Sequence, residues 1–78
     1  MEQFDNIVND VNVMGGKAYI KGTRVTVGMI LLNISEGVSI DELLDDFPYI
    51  CREDVEQALK YASWTFEANE WGTNYAMY

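Results

Sequence analysis

Apolar positions recur along this chain with two different periods, and the change of period divides it. From residue 15 to residue 27, in GGKAYIKGTRVTV, apolar and polar residues alternate on either side of a glycine, the pattern of two short strands joined by a turn. A two-residue loop at Gly22 and Thr23 predicts a type II′ turn, with glycine at the position that needs positive φ. That register sets Ile20 against Val25 and Ala18 against Val27 on an apolar side. Lys21 then opposes Arg24, and Tyr19 opposes Thr26, on the other side. A lone hairpin is marginal in water, so its apolar side must pack on the segments that follow.

The period then lengthens to that of a helix. Val27, Ile30, Leu31 and Ile34 repeat at helical spacing, and Gly37 stands where a left-handed C-terminal cap belongs. Ser39 and Glu42 have capping-box spacing, Val38 and Leu43 form a hydrophobic staple, and Pro48 stops this second, short helix. A third and longest helix carries an apolar stripe of Val55, Ala58, Leu59, Ala62 and Phe66, with Ile50 and Val55 as its staple and Gly72 as its end. The pattern predicts an α+β, mostly α fold: an N-terminal β-hairpin followed by a three-helix, helix-turn-helix-like bundle. It divides a single domain, residues 1–78, into an arm (1–14), the hairpin (15–27), the bundle (28–70) and an aromatic tail (71–78).

Length changes the picture next, because 78 residues make one domain with a thin core. The apolar side chains of the tail exceed what such a core can bury, so a homodimer or a protein partner is expected. The single cysteine, Cys51, forms no internal disulfide, and MEQFDNIVND is acidic where a secretory segment would be basic and then apolar; a cytoplasmic location is expected. The longest apolar run, VGMILLNI, is far below the ~20 residues of a membrane span, so no membrane partner is expected.

Charge points to a candidate site. The chain carries a net charge of −8, yet three of its five basic residues, Lys17, Lys21 and Arg24, fall within residues 15–27. Like charges set opposite each other cost stability. Lys21 and Arg24 therefore imply either a carboxylate nearby, as on the second helix, or an anionic ligand or partner. The two helices around DFPYIC have helix-turn-helix spacing, but Glu53, Asp54 and Glu56 at the start of the third helix repel phosphate and suit a helix N-terminus instead.

Catalytic chemistry finds no support. Histidine is absent, Cys51 has no evident base and reads as a buried, inert thiol, and the acidic pairs match no calcium loop. GGKAYIKG has the letters of a phosphate-binding loop without its spacing or its helix. No enzyme activity, cofactor or metal is expected.

The run GGKAYIKGTRVTV, the junction EGVS and the segment IDELLDDFPYICREDVEQALKYA together resemble the domain-of-unknown-function family numbered 433, across roughly residues 12–62. The matching positions are Gly16, Lys17, Gly22, Thr23, Arg24, Gly37, Pro48, Asp54 and Tyr61. Ala18 and Thr26 stand where that family often has proline, and Cys51 replaces a capping threonine or serine, which predicts a less firmly started third helix. The resemblance implies a small helix-turn-helix-like domain behind a hairpin, often dimeric, some members being VapB-type antitoxins beside a PIN-like ribonuclease toxin.

The leading expectation is an antitoxin-like interaction module that binds and restrains such a toxin. The alternative is a dimeric DNA-binding autorepressor that uses the basic hairpin or the helix-turn-helix. Lys17, Lys21, Thr23 and Arg24 are the candidate partner- or DNA-binding residues, and Trp71, Tyr75 and Tyr78 the candidate partner-binding tail.

Overall fold

The computed structural model describes the backbone of residues 4–73 and the side chains of residues 4–68. Two short strands, β1 (Ile7–Val8) and β2 (Tyr19–Ile20), precede three helices, α1 (Val27–Ser35), α2 (Ile40–Asp46) and α3 (Arg52–Thr73). The class and the order of elements are those the sequence pattern predicts.

The strand pairing differs in one respect. The expected register is present: Tyr19 bridges Thr26, the Ile20 N–H donates to the Val25 carbonyl at 2.9 Å, and the Val27 N–H donates to Ala18 at 3.0 Å. However, the strand that pairs with β2 is β1, from the expected arm, with Ile7 opposite Ile20 and Val8 opposite Tyr19. The physical reason lies at Thr26, whose hydroxyl accepts the Met29 N–H at 3.0 Å and caps α1. A residue engaged as a helix cap ends the extended chain, so β2 must find its lasting partner on its other edge. Between β1 and β2 the chain reverses through a left-handed turn at Met14–Gly16, steadied by Asn9 Nδ2 donating to the Gly16 carbonyl at 2.8 Å.

The helix boundaries follow their sequence signals. At the end of α1, Gly37 has φ +94°, and the Gly37 and Val38 N–H groups donate to Ile34 and Asn33, which closes a Schellman motif. Ser39 and Glu42 form the reciprocal capping box of α2, with bonds of 2.9 and 3.1 Å.

Ile20, Val25, Val27, Ile30, Leu43, Ile50, Val55 and Ala58 form one buried cluster between the β2 segment and the three helices. Phe4, also buried, lies edge-on to Tyr61 of α3 at 5.5 Å between ring centroids, and so fastens the N-terminal segment to the bundle. Two residues of the expected apolar stripes lie outside the core: Leu31 is 39% exposed and Phe66 64%. Helix length accounts for Phe66, since nine residues of α1 span about 14 Å and twenty-two of α3 about 33 Å, so α3 outruns its support. Leu31 lies mid-helix on a side of α1 that the single apolar layer leaves uncovered.

One consequence is pH-dependent. The Ser39 backbone N–H, and secondarily the Ser39 side chain, hold the Glu42 carboxyl below its ordinary value. Its folded value is the lower one, so the stabilisation is present above the unfolded value of about 4.3 and is lost as pH falls through the folded value. Urea melts at stepped pH should therefore show a shallower acid limb for Glu42→Gln than for the parent. Superimposable limbs would contradict the capping role.

Candidate functional site

The basic segment is held by backbone hydrogen bonds before any side chain acts. The Ile20 carbonyl accepts both the Thr23 N–H at 3.0 Å and the Thr23 hydroxyl at 2.8 Å, and that hydroxyl accepts the Val25 N–H at 2.9 Å. The turn thus spans residues 20–23, with Gly22 third and at φ +79°, as in a type II turn, and the connection between Ile20 and Val25 has four residues. The two-residue type II′ loop expected from the sequence is displaced because the Thr23 hydroxyl closes a second ring inside the connection. Gly22 keeps its predicted role of supplying positive φ, at a different turn position.

The same loop is braced from outside. The Lys21 N–H donates to the Asn6 carbonyl at 2.8 Å, the Asn6 N–H donates to Gln57 Oε1 at 3.0 Å, and Asn6 Nδ2 donates to Asp54 Oδ1 at 2.8 Å. Asp54 is 9% exposed, and its second oxygen, Oδ2, accepts the Cys51 N–H at 3.1 Å. One carboxylate therefore starts α3 and anchors β1, which in turn holds the loop. The predicted weak start at Cys51 is compensated in this way: Asp54, at the third helical position, reaches back to the cap residue's own N–H.

Among the candidate residues, Lys21 and Arg24 lie exposed on the four-residue connection, and Arg24 makes no ion pair among the described residues. The cation that meets α2 is Arg52, paired with Asp41; both side chains are largely exposed, and the pair adds little stability. Thr23 is engaged in the turn through both functions of its hydroxyl. Lys17 sits at the other end of β2, beside the α1–α3 surface, so the three cations do not form one cluster. Trp71 falls within α3, but its side chain, with Tyr75 and Tyr78, lies outside the described residues.

Cys51 is exposed where the sequence reading expected a buried thiol, because it occupies the N-cap position at the surface end of α3. Among the described residues, no three His, Cys, Asp or Glu side chains gather as a metal site would require, and no helix is long and apolar enough to cross a membrane. At the start of α3, Arg52, Glu53 and Glu56 are exposed while Asp54 is turned inward, so the face a helix-turn-helix would offer to DNA carries more negative than positive charge. Sequence reasoning missed Asn6 and Gln57. An asparagine shortly before a two-residue strand carries no local signal of its long-range partners.

The model of a family described as "Protein of unknown function (DUF433)" matches residues 7–62. A crystal structure of a DUF433 member protein from Anabaena variabilis ATCC 29413 is similar at 30% identity and a TM-score of 0.75, covering 81% of this chain. This chain spans 62% of the length of that one. None of the curated proteins compared matches it.

The anchor makes a measurable prediction. Asp54→Ala leaves the Cys51 N–H and the Asn6 amide without their acceptor, and should lower stability by about 1–3 kcal/mol, as should Asn6→Ala. The double variant should lose clearly less than the sum, because the two changes remove one shared contact. Additive losses in urea melts would show that the two residues act separately.

Proposed function

We propose, from the premise that this chain belongs to the DUF433 family, that it is a small, dimeric, cytoplasmic interaction module that binds and restrains a PIN-like ribonuclease toxin. The observation that supports this most is the presentation of Lys21 and Arg24: two exposed cations on a connection braced by backbone hydrogen bonds, in a chain of net charge −8. A metal-dependent nuclease site is lined with carboxylates. A preordered guanidinium suits such a surface, since its planar fork matches a carboxylate and its loop loses little entropy on binding. Thr23 contributes by shaping the turn, and the tail residues Trp71, Tyr75 and Tyr78 supply aromatic contacts of the kind protein interfaces favour, with the toxin or with a second copy of the chain.

The DNA-binding reading rests on the same pair of cations. A dimer would offer two such loops, each neutralising about two phosphates, while the acidic start of α3 opposes the approach of a groove.

Lys21→Ala combined with Arg24→Ala separates these outcomes. Both side chains are exposed, so the melting temperature should stay that of the parent. Affinity for a co-expressed PIN-like ribonuclease should fall at least about tenfold, with ribonuclease activity restored, in line with the loss of charge-assisted contacts. Unchanged affinity and inhibition would overturn the role of the loop. Duplex DNA binding that falls steeply with salt and disappears in the same variant would favour the autorepressor.

A further inference from the structure

An open groove of about 640 Å³ runs between α1 and α3, lined by Val27, Leu31, Leu32, Tyr61, Ala62 and Phe66 among others. Among the described residues, Met29, Leu31, Leu32 and Phe66 are four of the exposed large hydrophobic side chains, and all four line this groove. Lys17 is its one charged lining residue. Four of the seven exposed large hydrophobic side chains among the described residues thus share one face with a single positive charge at its edge, while Val11, Tyr49 and Trp64 lie elsewhere.

The end of α3 has the opposite problem. Among the described side chains of the helix the last that is fully buried is Ala58, and from residue 63 to residue 68 only Thr65 is not exposed. Yet the helix continues to Thr73, although of residues 63–73 only Glu67, Ala68 and Glu70 are strong helix formers. A segment of that length is marginal as a helix in water without something to pack against. It carries Phe66 and Trp71 with Glu67 and Glu70, and no basic residue, so it is aromatic and acidic where the groove is apolar and basic.

We propose that the groove receives the end of α3, residues 66–73, from a second copy of the chain, with the two copies exchanging helix ends about a two-fold axis. This deepens the dimeric part of the reading above and rests on it, but is independent of the toxin. A two-fold arrangement is self-complementary: each copy supplies one groove and one helix end, and Phe66, at the lip of the groove and the root of the extension, lies closest to the axis. Exchange covers the exposed Leu31 and Leu32, packs the unsupported turns of α3 and brings an acidic stretch of sequence to the partner's Lys17.

Sedimentation of the full chain at micromolar concentration, with circular dichroism, tests this. The parent should be a dimer. Leu32→Asp should weaken the dimer at least a hundredfold and reduce helicity while the core remains folded; Phe66→Asp, on a turn outside the core, should do the same and serves if the first variant does not fold. Lys17→Glu should weaken the dimer several-fold, and adding Glu67→Lys with Glu70→Lys should restore it. A monomeric parent, a Leu32→Asp and Phe66→Asp pair that dimerise like the parent, or a charge exchange that fails to rescue would each overturn the proposal, including the case in which the groove takes a peptide of another protein. Lys21→Ala with Arg24→Ala should leave dimerisation unchanged, so a failure of the toxin reading leaves a distinct signature.

Discussion

The architecture depends on a buried carboxylate shared between two chain segments far apart in sequence. Asp54 accepts the Cys51 N–H with one oxygen and the Asn6 side chain with the other, so the start of α3 and the entry to β1 are fixed by one group. Asn6 then passes that constraint on, since its carbonyl holds the Lys21 N–H and its own N–H is held by Gln57. A two-stranded sheet of two residues per strand has little stability of its own. It persists because polar groups on α3 fix one edge and the apolar cluster around Ile20 and Val25 fixes one face.

This arrangement explains how a chain of so few residues presents a defined surface. The connection carrying Lys21 and Arg24 is closed internally by Thr23 and externally by Asn6, so its two cations project from an ordered backbone. The same economy leaves α1 covered on one side only. Ile30 is fully buried while Leu31 and Leu32 are not, because three helices and a small sheet form a single apolar layer.

The parts of the fold legible from sequence are those governed by local chemistry. Ser39 with Glu42, Gly37 after α1, Pro48 after α2 and the register of Ile20 with Val25 all act within a few residues of themselves, and each appears where its motif places it. What escaped depends on distant partners. β1 offers only Ile7 and Val8, too short for a periodic signal, and its pairing is decided by Asn6 and Asp54, 48 positions apart. Phe4 gives no hint in sequence that it packs on Tyr61. The apolar stripes of α1 and α3 are readable as stripes, but how far a thin core extends along them is not, and so Leu31 and Phe66 belong to the stripes without entering the interior. At the candidate site the cations and the glycine were legible, whereas the turn type was not, because a threonine hydroxyl decided it.

Native-state hydrogen exchange tests the central claim, that the Asp54–Asn6 contact makes the basic connection part of the folded core. The amides of Asn6, Lys21 and Cys51 donate within this network, and that of Val55 lies in the first turns of α3. All four should exchange with opening free energies close to that of global unfolding. Exchange of Asn6 and Lys21 orders of magnitude faster than that of Val55 would show instead that the connection opens independently, and that its cations are not held in place.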